Sequence, residues 1–339
     1  PALYAAGSFR GAGRQPIYGV ARWNGVGWEA VGAGLDDGVV KDLVVYDDGS
    51  GPALYAGGLF TIGTTGPQHK LARWDGLTWS PIAGTSGTIE ALAVFDGGGG
   101  ELLIVAGDRN PAGDPADRIG SWNGTTWTPL GVGFDGRIVD LAVFDGGSGT
   151  ALYAIGDFTS AGAGPARHVA RWDGTDWSAV GAGLTDAAHV ATVYDDGTGA
   201  RLVVGGTTGS IGTLTAWNGT AWSPVFFPAG SQSVTALDTL DLGDGPSLVV
   251  GGRRSDVSTY LARETSTGWL TLDLDGRGSV RAFAELEDLE LTGLLVGSSS
   301  TVTGSTVSSR LALTGPCASS VTFADDFETG SLDAWLVVQ

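Results

Sequence analysis

The stretch Ala53-Leu54-Tyr55-Ala56-Gly57-Gly58, followed by Leu71-Ala72-Arg73-Trp74-Asp75-Gly76 and then Trp79, decides the fold of this chain. Near-copies of it recur about every 45 to 51 residues across most of the 339-residue sequence. A supersecondary unit repeated at such a period is typical of solenoids and propellers. The central leucine marks seven repeats, at Leu3, Leu54, Leu103, Leu152, Leu202, Leu248 and Leu294. The repeat therefore predicts one repetitive body rather than several unrelated domains.

The composition favours short strands joined by tight turns. Glycine accounts for 58 residues, only 16% of residues are charged, and Val, Thr, Trp and Tyr are frequent. The formal net charge of -19 argues against nucleic acid or anionic lipid as a partner, because proteins bind both through Lys and Arg. We predict an all-β protein with neutral or cationic partners.

Several features bear on location. No apolar run reaches the roughly 18 residues that a membrane helix needs, so we expect no membrane span. The sequence has no Met and opens at Pro1 on a strand-like segment, so we expect a leader that has been removed or lies outside it. The single cysteine, Cys317, cannot form an internal disulfide. Together these features favour an extracellular or cell-surface protein, of bacterial origin.

Each repeat contains four strand-like segments. The first, at residues 40–46, is mostly apolar without clean alternation, which is typical of strands buried on both faces, so we place it innermost. An acidic, glycine-rich turn joins it to the Ala-Leu-Tyr-Ala-Gly-Gly segment, as in a hairpin. The related first segments are residues 89–95, 138–144, 190–194, 234–240 and 280–286.

The third and fourth segments flank an Asn-Gly or Asp-Gly pair, which favours a tight turn. A two-residue turn pairs Trp74 with Leu77, whereas a four-residue turn places Trp74 opposite Trp79. Either register puts both indoles on one face of the sheet, because side chains alternate along a strand. The other such pairs are Trp23 with Trp28, Trp122 with Trp127, Trp172 with Trp177 and Trp217 with Trp222. We predict that all ten are packing residues.

Four hairpin-linked strands form a small sheet that buries both faces only when such sheets stack radially, as in a propeller. The order of hydrophobic strand, Gly-Gly, aromatic position and later Trp resembles the kelch-like repeats of secreted bacterial proteins, over residues 1 to about 315. The Arg-Trp-Asp-Gly form departs from the common kelch consensus. We therefore expect a seven-bladed β-propeller of four-stranded antiparallel blades.

The ends of the chain are uneven. The first blade has no first strand, and the last has strands at 280–286, 291–296 and 310–313 without a Trp hairpin. We predict a propeller at 1–316 and a tail at 317–339, in which 319–323 supplies the last fourth strand. The final segment resembles an innermost strand and closes either its own ring or a neighbouring subunit; it comprises Ala334, Trp335, Leu336, Val337 and Val338. A rival interpretation is that 323–330 begins a truncated β-sandwich or a secretion-linked tail.

Residues that carry chemistry are few. We predict no metal site shared by His69 and His168, because their loops lie two blades apart. Some kelch-type propellers are copper oxidases, whose copper site includes a cross-linked cysteine. The lone cysteine of this chain, Cys317, lies in the tail, so the resemblance does not imply that activity. The acidic turns are weak calcium candidates, at Asp47, Asp48, Asp195 and Asp196, but hairpin turns favour Asp-Gly without a metal. We expect no cofactor, with calcium as the alternative.

One face of the ring is predicted to carry recognition. The second-to-third and fourth-to-first loops vary in length between repeats, and variable loops on a rigid scaffold usually bind partners. We call this the variable face. Its candidate binding residues are Arg10, Arg14, Lys70, Arg109, Asp114, Arg167, His168, Arg253 and Arg254. Phe9, Phe60 and Phe158 recur at one repeat position, so we predict packing between blades.

These features predict a secreted, non-enzymatic propeller that acts as a binding or self-assembly module in an extracellular fibre or on a surface. Its partner is itself or another protein, through strand exchange at the incomplete first blade. The alternative is a carbohydrate-binding, lectin-like propeller with pockets between blades and exposed aromatic residues. A third hypothesis is an acidic-residue hydrolase at the central channel, which charged side chains converging at the channel mouth would favour.

Overall fold

The repeats form antiparallel sheets that stand radially as the blades of a β-propeller. This computed structural model describes residues 3–13, 15–85, 87–108, 118–131, 133–206, 214–226, 231–241, 245–254, 258–288, 291–300, 311–312, 322–323 and 334–338. Within these ranges there are six sheets of four or more strands. Each is a blade, and in the four-stranded sheets the strands run in order from the inside of the ring to the outside.

The strands of each blade have the following bounds. Blade 1 contains β1 (Leu3–Gly7), β2 (Val20–Trp23) and β3 (Trp28–Ala30), with β29 (Ala334–Val338) innermost. Blade 2 contains β4 (Leu35–Asp47), β5 (Pro52–Ile62), β6 (Gln68–Trp74) and β7 (Trp79–Pro81). Blade 3 contains β8 (Ile89–Asp96), β9 (Glu101–Gly107), β10 (Ile119–Trp122) and β11 (Trp127–Pro129).

The remaining strands follow the same order. Blade 4 contains β12 (Ile138–Asp145), β13 (Thr150–Gly156), β16 (Val169–Trp172) and β17 (Trp177–Ala179), with a small hairpin of β14 (Ser160–Ala161) and β15 (Gly164–Pro165). Blade 5 contains β18 (Ala188–Tyr194), β19 (Arg201–Gly206), β20 (Leu214–Trp217) and β21 (Trp222–Val225). Blade 6 contains β22 (Ser231–Asp241), β23 (Pro246–Arg254), β24 (Ser258–Thr265), β25 (Gly268–Asp288) and β26 (Leu291–Ser300).

The prediction of seven blades is wrong, because the structure has six. Residues 280–286 were expected to open a seventh blade, but they belong to β25, one continuous strand of 21 residues. Its first part pairs with β24 and its second part with β26, which gives a sixth sheet of five strands. No turn separates the fourth strand of blade 6 from the last repeat, so that repeat extends the sixth sheet instead of forming its own.

Of the predicted third and fourth strands of the last blade, the structure describes residues 311–312 and 322–323. β27 (Leu311–Ala312) and β28 (Thr322–Phe323) pair with each other in a two-stranded sheet. Residues 324–330, on which the rival interpretation of the tail rests, lie outside the described residues, as does Cys317.

The C-terminal strand β29 is paired with β1. The pairing is antiparallel and runs from Leu3 opposite Val338 to Gly7 opposite Ala334. β29 thus takes the innermost place in blade 1, where it also contacts β25 and β4. The sequence left two partners open for this strand, its own chain and a neighbouring subunit. Which of the two it pairs with in solution stays open to the test of that prediction.

The Trp hairpins have four-residue turns. Trp74 lies directly opposite Trp79, and the four equivalent pairs share this register. In the turn, one carboxylate oxygen of Asp75 accepts hydrogen bonds from the backbone N–H groups of Leu77 and Thr78, at 2.8 and 2.7 Å. The side chain therefore pairs turn amides that would otherwise lack a protein partner.

In four hairpins the outer tryptophan, at Trp79, Trp127, Trp177 and Trp222, donates a hydrogen bond to the preceding blade. Trp79 Nε1 donates to the Val31 carbonyl oxygen of the preceding blade at 2.9 Å, and Trp177 Nε1 donates to Leu130 O at 2.7 Å. In blade 5, Trp222 Nε1 donates to Val180 O, and the next residue, Gly181, packs against the indoles: with φ at +59°, a Cβ there would lie 2.9 Å from Trp217. A left-handed glycine is therefore needed where the two blades meet.

Side chains also join the innermost strands of adjacent blades. Asp140 accepts a hydrogen bond from the Ala191 N–H of the next blade at 2.7 Å, and Thr239 Oγ1 donates to Val193 O at 3.0 Å. Each innermost strand has one edge without a strand partner, so these bonds satisfy backbone groups that face the channel.

Candidate functional site

A buried phenylalanine occupies one repeat position in three blades. Phe9, Phe60 and Phe158 are at most 1% exposed. In blade 4, the Phe158 ring lies 4.8 Å from Phe134, and Phe134 lies 5.0 Å from Trp177, both in edge contacts. These rings cover Trp177, which is 4% exposed. The phenylalanine thus fills the space beside the outer tryptophan.

The sequence of blade 5 lacks this phenylalanine, and a pocket lies beside its outer tryptophan. Counting from the central leucine, the sequence has Thr208 at the Phe158 position and Leu184 at the Phe134 position. Trp222 is only half-buried and borders a cavity of about 350 Å³. We call this cavity the blade 5 pocket; its side chains include Leu184, Thr185, Asp186, Thr215, Trp222 and Ser223.

The blade 5 pocket combines an apolar wall with a polar rim. Trp222 Nε1 donates to Val180 O at 2.9 Å, which fixes the indole plane. At the rim, Thr185 Oγ1 donates to Asp186 at 3.1 Å, and Thr215 Oγ1 donates to Ser223 O at the same distance. Among the lining residues that the structure describes, none is Lys or Arg. This lining suits a neutral ligand with one apolar face and several hydroxyl groups.

A second polar site lies on the variable face, near the start of five innermost strands and at the equivalent repeat position midway along β25. Each of the strands β4, β8, β12, β18, β22 and β25 has a register shift at the same repeat position. A β-bulge re-aims its side chain and often borders functional sites. The bulged residues are Lys41, Glu90, Val139, His189, Thr235 and Arg281; together with Arg137, Asp157 and His168 we call them the channel mouth.

Ion pairs connect three blades at the channel mouth. One carboxylate oxygen of Glu90 lies 3.6 Å from Lys41 Nζ, and the other lies 3.5 Å from Arg137 Nη1, so Glu90 forms an ion pair with each. Arg137 also reaches Asp157 at 3.1 Å. Burial lowers the pKa of His189, and the nearby Arg137 and His168 lower it further against the opposing effect of Asp157. Charged groups therefore converge here, as the hydrolase hypothesis required.

Three carboxyl groups lie deeper along the innermost strands. Burial raises the pKa of Asp42 and of Asp140 to about 7, and the pKa of Asp238 to about 6. Backbone N–H donors oppose this shift but do not cancel it. Although these side chains are deep in the molecule, they stay partly accessible to solvent along the channel.

The residues predicted to bind a partner are scattered. Arg10 pairs with Asp36 at 2.8 Å, and the Arg254 guanidinium lies 5.5 Å from the Tyr260 ring centre. Of the remaining predicted residues, His168 reaches the channel mouth, Arg167 and Arg253 are exposed, and Lys70 is half-buried. Arg14, Arg109 and Asp114 lie outside the described residues.

The predicted calcium candidates serve their own turns or neighbouring side chains. Asp47 accepts the backbone N–H groups of Gly49 and Gly51, both at 2.9 Å, and Asp48 pairs with Arg73 at 3.0 Å. Asp195 likewise accepts hydrogen bonds from the backbone N–H groups of Gly197 and Gly199, and Asp196 forms an ion pair with Arg201. Within the described ranges, no three His, Cys, Asp or Glu side chains are grouped as a metal site.

The channel mouth and the pocket were missed from sequence. Trp222 was predicted to be a packing residue only, although the absence of a phenylalanine at its blade's repeat position was visible. Lys41, Glu90 and His189 were visible as polar residues opening apolar strands, but the bulges that re-aim them have no sequence signature. In the described part of the chain, no helix has the length and hydrophobicity to cross a membrane.

Comparisons with known proteins return similar structures only. No family model and no curated protein matches the sequence. The SapL1 lectin in complex with alpha methyl fucoside is 12% identical, with a TM-score of 0.44 over 85% of this chain and 96% of that one. A mutant Aleuria aurantia lectin in complex with Fucα1-6GlcNAc is 12% identical, with a TM-score of 0.39 over 75% and 87%.

An ancestral GH74 enzyme is also 12% identical, with a TM-score of 0.42 over 91% of this chain and 52% of the enzyme. Similarity at this level assigns no activity and no ligand to this chain. The kelch-like character of the repeats and a secreted bacterial origin stay predictions.

Proposed function

We propose that this propeller binds carbohydrate in the blade 5 pocket. The observation that carries the proposal is the half-buried Trp222 beside a cavity of about 350 Å³, in a blade whose sequence lacks the phenylalanine that is buried in blades 1, 2 and 4. A sugar ring has an apolar C–H face that packs on an indole, while its hydroxyl groups need hydrogen-bond partners. The blade 5 pocket offers both.

The lining favours a neutral sugar that is bound rather than cleaved. The hydroxyls of Thr185 and Thr215 and the carboxylate of Asp186 can exchange their present hydrogen bonds for bonds to a ligand. Glycoside hydrolysis generally requires two carboxyl groups across the scissile bond. Asp186 is the one carboxylate among the described lining residues. We therefore propose a lectin-like activity on a neutral mono- or disaccharide unit.

The test is calorimetric titration with a panel of neutral methyl glycosides and oligosaccharides. A matched variant fills the pocket: Leu184→Phe introduces the ring that blade 4 has at Phe134, against the equivalent tryptophan. We expect the wild type to bind at least one sugar and L184F to lose that binding while it keeps its melting temperature. No binding across the panel, or equal binding by L184F, would contradict the proposal.

A second candidate function is self-assembly through β29. The observation that favours it is that the inner strand of blade 1 comes from the far end of the chain and pairs over five residues. A strand supplied from a terminus can equally be exchanged between molecules. This hypothesis, like an extracellular or cell-surface location, stays a proposal.

A further inference from the structure

The outer tryptophans of the five Trp hairpins fall into two groups, according to the phenylalanine of the same repeat. Three of them are at most 6% exposed, in the blades that carry the buried phenylalanine: Trp28, Trp79 and Trp177. The other two, Trp127 and Trp222, are half-buried. Counting from the central leucine, the sequence has Arg109 in blade 3 and Thr208 in blade 5 at the phenylalanine position. Blade 3 therefore shares with blade 5 the feature on which the sugar pocket depends.

An aliphatic side chain is also partly exposed beside the outer tryptophan of blade 3. Ile82 lies three residues after Trp79 and is half-buried. Its counterparts in blades 1, 3 and 4 are at most 9% exposed: Val31, Leu130 and Val180. Ile82 and Trp127 pack against one buried cluster, and Trp127 Nε1 donates to Ala83 O at 2.8 Å, which fixes the indole next to this loop. We call Ile82 and Trp127 the blade 3 platform.

Hydroxyl groups belong to the same loop. Thr85 and Thr88 follow Ala83 and are half-buried, and within the described residues neither hydroxyl is hydrogen-bonded. By the count from the central leucine, Thr85, Gly87 and Thr88 stand at the positions of three residues that line the blade 5 pocket: Leu184, Asp186 and Ala187. Blade 3 thus offers two hydroxyls beside an apolar surface, but glycine replaces the carboxylate of the pocket.

We propose that the blade 3 platform is a second, weaker carbohydrate site, an inference that rests on the proposed function. An indole beside an aliphatic side chain covers the C–H face of a sugar ring, and the two threonine hydroxyls can bond to its hydroxyl groups. The site is weaker than the blade 5 pocket because it lacks a charged acceptor. Blade 4 lies between the two sites, so each takes its own sugar unit. A polysaccharide of neutral units that reaches both gains avidity.

The experiment measures the accessibility of each indole separately. A tryptophan-specific nitrobenzyl bromide reagent labels the full chain with and without sugar, and peptide mass spectrometry locates the label. The sugar probes are methyl glucoside, methyl galactoside and methyl mannoside. Without sugar, we expect labelling at Trp127 and Trp222 and little at Trp177, which is buried. Trp74 is the internal control, because it is half-buried in blade 2, where Phe60 is present.

A saturating sugar is expected to reduce labelling of Trp127 and Trp222 several-fold and to leave Trp74 unchanged. L184F covers Trp222 but should keep the sugar protection of Trp127. The calorimetric signal that L184F loses belongs to the tighter pocket, whereas labelling at higher sugar concentrations also reports the platform. Thr85→Phe should lower the labelling of Trp127 without sugar and keep the protection of Trp222. Leu77→Phe is the matched control, because it adds a ring at a turn residue that is 82% exposed, and it should change neither.

The outcomes separate this inference from the proposed function. Protection of Trp222 with Trp127 unprotected by every sugar would refute the blade 3 platform and leave the blade 5 pocket intact. Protection of Trp127 alone would support the platform and refute the pocket. No protection of either indole, or an equal change at Trp74, would overturn both. Unchanged labelling and protection of Trp127 in T85F, with native circular dichroism, would also refute the platform.

Discussion

The carboxylate of Asp42 accepts a 2.7 Å hydrogen bond from the backbone N–H of Leu92, on the innermost strand of the next blade. Asp140 does the same for Ala191 two blades further on. In a propeller, the innermost strands approach one another without backbone pairing, so a side chain that bridges them contributes to ring closure. It follows that the protonation of these carboxyl groups is coupled to the stability of the ring.

We predict that the protein is more stable at pH 5 than at pH 8. Burial raises the pKa of Asp42 and Asp140 from 3.8 to about 7 in the folded chain. A group with a raised pKa contributes stability that is complete below its unfolded pKa and is lost as the pH rises through its folded pKa. A tenfold difference in proton affinity between the folded and unfolded chain corresponds to about 1.4 kcal/mol, and solvent in the channel reduces this effect. Urea denaturation should show a loss on the order of 1–3 kcal/mol across this range.

The control is Asp42→Asn, which keeps one acceptor oxygen and cannot ionise. Its free energy of unfolding should fall less steeply between pH 5 and pH 8 than that of the wild type. If the slope of the variant equals that of the wild type, ionisation of Asp42 is not part of the pH dependence.

The fold was predictable from sequence because the signal repeats. The Trp pair, the Asp-Gly turn and the Gly-Gly segment each have a local physical reason, and several copies support one interpretation. The blade count was not predictable, because residues 275–279, Asp-Gly-Arg-Gly-Ser, have the composition of a turn yet continue β25. Extended pairing with β24 and β26 overrides the local preference.

The sites were harder to predict than the fold. The blade 5 pocket lies in a blade whose sequence has Thr208 at the phenylalanine position, and only a comparison among repeats, position by position, reveals that difference. The channel mouth depends on bulges, which side-chain identity does not encode. By contrast, Arg10 and Arg254 were predicted to bind a partner because they are charged. In the structure, Arg10 forms an ion pair with Asp36, and Arg254 lies over the ring of Tyr260.

We predict that Gly181→Ala destabilises the contact between blades 4 and 5. At φ of +59° an alanine costs about 1 kcal/mol, and its Cβ would lie 2.9 Å from Trp217, which adds overpacking of about 1–3 kcal/mol. Gly63→Ala is the matched control, because its φ is +74° and the nearest atom is 3.7 Å away. Thermal denaturation should rank G181A well below G63A. Equal melting temperatures would show that the indole can move aside.

We also predict that Trp177→Phe costs more stability than Trp127→Phe. Both tryptophans donate Nε1–H to a carbonyl of the preceding blade, at 2.7 and 2.8 Å. The Trp177 bond is buried, so losing the donor leaves Leu130 O unsatisfied, at a cost of about 1–3 kcal/mol. The Trp127 bond is exposed and water can replace it. Chemical denaturation measures the free energy of unfolding of both variants. A larger loss of that free energy in W127F than in W177F would contradict this account.

The pairing of β29 with β1 predicts ring closure within one chain. Ala5 lies opposite Leu336 in this pair, so Ala5→Cys with Leu336→Cys, in a Cys317→Ala background, brings two thiols onto adjacent strands. After mild oxidation we expect a cross-linked monomer on non-reducing gels, with a higher melting temperature than the reduced form. A chain that ends at Pro316 lacks the strand and should melt earlier. Covalent dimers and higher ladders would instead show that the strand completes a neighbouring molecule, and self-assembly would then become the leading function.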